Sequence, residues 1–290
     1  YTLKKGWNIV EFSPENIKSL YEENANGFYL SVNGLNAGEH VMLYAAYGIY
    51  ADDYVPPVAG ELKVDSIDGL IALYGGEYTI PAYAAVDENG DPLDCSVVVA
   101  DANGSAVTVT NGKFTANVLG LYTITYTIVS EGYEGEASVT VNCKKGNLLN
   151  NFEKAGDMTY VGANATNEVV DALSGKAIKI TANAAFSWTR VSFPAIENEG
   201  YLTVDNLRKY DKIRFVIYCS ADGVYTCTSA NEESYTLKKG WNIVEFSPEN
   251  IKSAYEESAN GFYLCVNNVA QGDYIMMYSA EGIYADDYQS

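Results

Sequence analysis

YTLKKGWNIVEFSPENIKS fills residues 1–19 and returns without a change at residues 235–253. The likeness continues to GIYADDY, which closes at Tyr54 and again at Tyr288. About forty of the aligned positions are identical, a self-similarity that marks a duplicated structural unit. The copies stand 234 residues apart. Solenoid repeats recur every ~20–50 residues, so the duplicated unit here has the size of a domain pair. Because the chain opens in mid-pattern at Tyr1, residues 1–54 read as the back half of a domain whose full-length copy closes at 288. Within the repeated stretch, Trp241 and Ile243 share one strand face. Trp7 sits in the same unchanged motif, and both tryptophans read as structural.

The domain cuts follow from that repeat. Pro56-Pro57 marks a stiff linker after the first copy, and Lys144-Lys145-Gly146 marks a second. The predicted units are 1–54, 57–143 and 147–288. In the middle unit, Asn89-Gly90, Asn103-Gly104 and Asn111-Gly112 are hairpin signals between β-rich runs. LYTITYTIV places Tyr122, Ile124, Tyr126 and Ile128 on one face and Thr123, Thr125 and Thr127 on the other, as a half-buried sheet requires. About seven strands in this space predict an immunoglobulin-like sandwich. In the last unit, KIRFVIYC puts Ile213, Phe215, Ile217 and Cys219 on one face. About eight strands over 147–288 predict a jelly roll. Residues 248–258 carry one short helix, with Ser247 as N-cap and Pro248 at the first helical position. The fold class expected is all-β, an immunoglobulin-like sandwich plus a jelly roll, preceded by a truncated half jelly roll.

Composition narrows the function. An apolar fraction of 48% supplies packed cores, and the apolar residues fall in short runs, so no membrane insertion is expected. The net charge of −20 repels phosphate backbones and excludes nucleic acid as a natural partner. The five cysteines form no CxxC pair and read mainly as core fillers. His40, the only histidine, aligns with Tyr274 of the second copy, which argues against a chemical role for it. No Ser/His/Asp set or phosphate loop is present. Asp52-Asp53 and Asp286-Asp287 are adjacent in strands and point to opposite faces, unlike a glycosidase pair. The segment is therefore not expected to be an enzyme.

GGEYTIPAYAAVDENGDPLDCSVVV and GKFTANVLGLYTITYTIVSEGYEGEASVTV, within 57–143, resemble the bacterial immunoglobulin-like domains that act as spacers in cell-surface proteins and secreted glycan-degrading enzymes. LLNNFE, LKKGWNIVEFS and GIYADDY, within 147–288, resemble carbohydrate-binding-module jelly rolls of the galactose-binding-like type. That second resemblance implies a structural calcium ion shared by a glutamate in the first strand and an aspartate in the last. Glu153 and Asp286 match those positions, with Asp287 next if the register differs by one; the alternative is two solvated carboxylates at a sheet edge. DENGD, with Asp87, Asn89 and Asp91, also has calcium-like spacing, but a hairpin turn accounts for it more simply.

A polysaccharide or glycan is the expected partner. Sugars stack a C–H face on an aromatic ring and offer hydroxyls to planar polar groups. Trp188, Arg190 and Ser192 alternate onto one face of their strand, and Arg214, Val216 and Tyr218 onto one face of the next. The binding residues expected are Trp188, Arg190, Arg214 and Tyr218; the alternative makes Trp188 core and the arginines surface charges. The reading is a non-catalytic glycan-binding module, extracellular or on a cell surface, with a purely structural stalk or adhesin segment as its rival. Residues 1–54 lack strands to cover their apolar face, so strand exchange between repeat copies is also expected.

Overall fold

The computed structural model describes residues 1–13, 32–47, 54–155, 164–194, 209–222, 226–229, 233–250 and 261–288; side chains of 186–194, 226–229 and 261–263 lie outside that description. The chain divides into two compact units, Tyr1–Tyr54 and Val55–Ser290. The described residues of the first unit form no strand. Trp7 and Ile9 there are 78% and 93% exposed.

Among its described residues the second unit is all-β apart from a helical turn that starts at Pro248 and is described as far as Asn250. Its leading part comprises β1 (Val58–Ala59), β2 (Glu61–Val64), β3 (Ile71–Leu73), β4 (Glu77–Thr79), β5 (Tyr83–Val86), β6 (Cys95–Ala100), β7 (Ala106–Val107), β8 (Lys113–Thr115), β9 (Gly120–Ile128), β10 (Tyr133–Glu134) and β11 (Glu136–Lys144). A five-stranded sheet runs β3-β11-β9-β6-β7, beside the ribbons β1–β10, β2–β5 and β4–β8. Strand β9 keeps the predicted alternation: Tyr122, Ile124, Tyr126 and Ile128 are all buried. Full burial of a side chain such as Ile124 is worth about 1.5–3 kcal/mol. The two tyrosines spend their hydroxyls locally. Tyr126 donates to the Pro81 carbonyl at 2.9 Å, and Tyr122 accepts from the Val118 amide at 2.8 Å.

The Asn-Gly turns form as the sequence predicts. The Asp87 carboxylate accepts the Asn89 and Asp91 amides at 2.9 and 2.8 Å, so its oxygen serves the turn. Asp101 does the same for Asn103 and Ser105 at 2.8 and 2.9 Å. Asn111 and Gly112 both take positive φ, 51° and 71°, as a type I′ turn needs.

The trailing part comprises β12 (Gly146–Asn150), β13 (Ala165–Ala172), β14 (Gly175–Ala182), β15 (Phe186–Pro194), β16 (Tyr210–Cys219), β17 (Thr226–Ser229), β18 (Glu233–Thr236), β19 (Gly240–Phe246), β20 (Gly261–Val269) and β21 (Tyr274–Tyr284). One sheet runs β13-β14-β21-β16-β19, with β12 also on β21; the other runs β15-β20-β17-β18. Their facing sides close a core of Ile178, Ile213, Phe215, Ile217, Phe246 and Met277 from the first sheet and Leu264, Val266 and Val269 from the second. At the helical start, the Ser247 amide and hydroxyl both donate to Glu233, at 2.7 and 3.1 Å. Burial acts to raise the Glu233 pKa, but hydrogen bonds from Asn250 and Ser247 outweigh it and hold the carboxyl below its ordinary value.

The predicted linker at 144–146 is shorter than the sequence suggests. Strand β11 runs through Lys144 and β12 begins at Gly146, which leaves Lys145 alone between them. Leu173 and Val216 of the trailing part lie inside the apolar cluster of the leading part, with Trp241, Ile243 and Tyr278 against it.

Candidate functional site

The site is the outer face of the β13-β14-β21-β16-β19 sheet. Alternation along β16 sends Ile213, Phe215, Ile217 and Cys219 into the core and leaves Arg214, Val216 and Tyr218 on the other side. Register then sets their neighbours. Tyr218 lies between Trp241 and Met276, Val216 between Ile243 and Ser279, and Arg214 between Glu245 and Glu281. The face has two zones: the leading part seals one end around Val216, Ile243 and Tyr278, while Tyr218, Tyr274 and Lys179 remain half-exposed at the other.

The residues singled out from the sequence fall in three separate places. Arg214 is on the predicted face but only 2% exposed, because the turn at Gly69 covers it. Its Nη1 donates to Glu281 Oε2 at 2.5 Å, its Nη2 donates to the Gly69 carbonyl, and its Nε stands 3.7 Å from Glu245. Ser279 Oγ donates to Glu281 at 2.9 Å. The guanidinium fork is therefore used inside the protein and cannot present itself to a sugar.

Trp188 and Arg190 do not adjoin Tyr218. Although β15 precedes β16 in the chain, it belongs to the opposite sheet, where Trp188 pairs with Asn267 and Arg190 with Cys265. Strand alternation fixes a residue's face but not the sheet its strand joins. The side chains of Trp188 and Arg190 lie outside the described residues.

Glu153 and Asp286 do not meet. Antiparallel pairing of Gly146 with Ile283 and Asn150 with Ala280 carries the chain toward Glu153 in one direction and toward Asp286 in the other. Glu153 lies near enough to Tyr278 to perturb it, whereas Asp286 lies beside Lys144 and Lys145. Among the described residues no three His, Cys, Asp or Glu side chains gather as a metal site would need. Cys143 and Cys219 are buried thiols, as expected of core fillers, and burial pushes Cys219 up to about 12.

The open zone is an aromatic platform. Tyr218 and Tyr274 lie nearly parallel, with ring centroids 5.8 Å apart and planes 13° apart, and Trp241 meets Tyr218 edge-on at 5.4 Å. The Lys179 ammonium stands 4.8 Å over the Tyr274 ring and 3.0 Å from Glu168. Burial, then the Tyr274 hydroxyl beside it, raises the Tyr218 pKa, so the phenol stays neutral and able to donate at neutral pH. Two near-parallel rings flanked by an ammonium and hydroxyls offer aromatic surface and hydrogen-bond groups together. Of the residues in this zone the sequence singles out Tyr218, and not Tyr274 or Lys179. The exchange of His40 for Tyr274 between the copies was a visible signal, and it was read only as evidence about the histidine.

No family model matches the chain, and no curated protein matches it. Among solved structures it is similar to the family 11 carbohydrate-binding module of the cellulosomal cellulase Lic26A-Cel5E of Clostridium thermocellum. That match has 14% identity and a TM-score of 0.33, over 51% of this chain and 99% of that one. The CBM51-2 and INT domains of Clostridium perfringens ZmpB match at 10% identity and a TM-score of 0.29, over 77% of this chain and 49% of that one. Among the described residues no helix is long and apolar enough to cross a membrane.

Proposed function

We propose that the trailing sandwich is a non-catalytic glycan-binding module of a repetitive extracellular protein, and that glycan lies across Tyr218 and Tyr274. The observation that carries the reading is the pair of near-parallel, half-exposed rings on the outer face, with Lys179 over the Tyr274 ring. A pyranose ring presents axial C–H groups to such a surface, while its equatorial hydroxyls reach the polar rim. The test is an array of plant, microbial and host glycans probed with the whole chain and with Tyr274→His, the residue that stands at this position in the first copy. The substitution should weaken binding by roughly ten- to a hundredfold, the range of about 1–3 kcal/mol typical of an aromatic contact, with melting little changed. Binding that survives both Tyr274→His and Tyr218→Ala would overturn the assignment.

A structural stalk is the second reading, favoured by the single-residue junction at Lys145 and the sealed face around Val216. If no glycan on the array binds the unmodified chain, that reading takes precedence.

A further inference from the structure

We infer that residues 57–143 are the dedicated docking partner of the sandwich that follows them, anchored by Leu173 and locked in register by Arg214 and Glu281, and not a free spacer. The inference does not depend on glycan binding.

The anchor shows itself through an unfavourable backbone. Leu173 caps the β13–β14 hairpin at φ 47°, a left-handed conformation that glycine and asparagine tolerate and leucine does not favour. The turn at 111–112 uses Asn and Gly for the same geometry. A hairpin with no other duty would do likewise. Leu173 is instead 8% exposed, inside the apolar cluster built by Leu70, Phe114, Tyr122 and Tyr126. Its local cost is offset by burial in a cluster that the leading part largely builds. A strained residue that persists is held by its surroundings.

The lock is polar. Arg214 is buried, paired with Glu281, and reaches across the junction to the Gly69 carbonyl. The ion pair itself lies within the trailing sheet and fixes the guanidinium, so a shift of the leading part would take the Gly69 carbonyl away from a buried donor that has no water to replace it. The two sequence copies separate the apolar from the polar contribution. Trp241, Ile243 and Tyr278 have identical counterparts in Trp7, Ile9 and Tyr44. Ser279 and Glu281, which hold the arginine, are Ala45 and Tyr47 in the first copy. The apolar contacts that fall in the repeated segment are common to both copies, and the Ser279–Glu281 part of the lock belongs to one. Ser279 and Glu281 thus act as an address: a sandwich bearing them accepts the arginine-bridged partner, and one bearing alanine and tyrosine does not.

The test follows scanning calorimetry and amide exchange over 65–73 in the whole chain. In the unmodified protein, the leading and trailing parts should melt in one transition, with 65–73 protected. Leu173→Gly gives opposite signs under the two readings. A mere turn residue would gain stability from glycine, whereas loss of an anchor should split the transition and speed exchange at 65–73 by on the order of tenfold or more. Glu281→Tyr should give the same split by leaving the buried Arg214 with only Glu245, at 3.7 Å, as a counter-charge, and Arg214→Met with Glu281→Tyr should restore a single transition. If Leu173→Gly melts once, at or above the original temperature, with protection intact, the inference is overturned. Should Glu281→Tyr unfold the whole second unit, Leu173→Gly still decides, because glycine suits the turn.

Discussion

Residues 1–13 and 235–247 have the same sequence and different structures. What they share is local. Asn8 closes the KKGWN turn on the Lys4 amide at 2.9 Å and the Lys4 carbonyl at 2.7 Å; Asn242 does so on Lys238 at 2.8 Å for both. Gly6 and Gly240 take φ 103° and 97°. Tyr1 meets Phe12 edge-on at 5.3 Å, as Tyr235 meets Phe246 at 5.2 Å. Trp7 keeps Tyr44 at 5.9 Å, as Trp241 keeps Tyr278 at 5.8 Å. What differs is everything that needs a neighbour. In the second copy β16 lies between β19 and β21, bonded to both, and residues 1–54 contain no counterpart of that strand. Phe246 is fully buried, while Phe12 is 43% exposed. Turns and ring contacts are properties of a segment, whereas strands and burial are properties of an assembly.

The strongest way to break this comparison is to remove the same ring from both copies. Phe246→Ala should cost about 3–5 kcal/mol in urea unfolding, as for other buried aromatics. Phe12→Ala should stay within about 0.5 kcal/mol, the usual range for an exposed site. Equal effects would show that the two copies have the same support. The local part is tested by Asn242→Ala and Asn8→Ala. Each should lose roughly 1 kcal/mol of local protection at its own turn, read as faster exchange of the Lys238 or Lys4 amide. A change at Lys238 alone would mean that the turn, too, depends on its sheet. The smallest effect concerns calcium, for which Asp52 and Asp286 are matching positions. Since Glu153 and Asp286 are at opposite ends of the β12–β21 pairing, calcium or chelator should leave the melting temperature unchanged. A rise with calcium would restore the shared-ion expectation.

Much of the architecture was legible because it is written in periods and turns. The alternation of LYTITYTIV, the Asn-Gly turns and the inward face of KIRFVIYC all reappear in the structure. The binding face was legible only in part. Alternation placed Tyr218 and Arg214 on one side of β16, but it could not say that Gly69, far away in the chain, closes over the arginine. Nor could it say that β15 leaves for the other sheet and takes Trp188 with it. The replacement of Ala45 and Tyr47 by Ser279 and Glu281 stood in plain view, yet its meaning depends on the register that sets Glu281 opposite Arg214.

The pairing of Gly146 with Ile283 has a mechanical consequence. The chain comes into the trailing sandwich and leaves it at one point, on two adjacent antiparallel strands. Tension carried through these residues therefore crosses a single strand pair and bypasses the rest of the sandwich, which hangs from the line like a pendant. Pulling would peel β12 from β21 one hydrogen bond at a time, starting at the junction. There Asn147 ties the Tyr210 and Tyr284 hydroxyls, Tyr284 stacks on Tyr288 at 4.3 Å, and the Tyr284 amide donates to the Lys145 carbonyl at 3.0 Å. These contacts form a clasp at the place where the load is first felt.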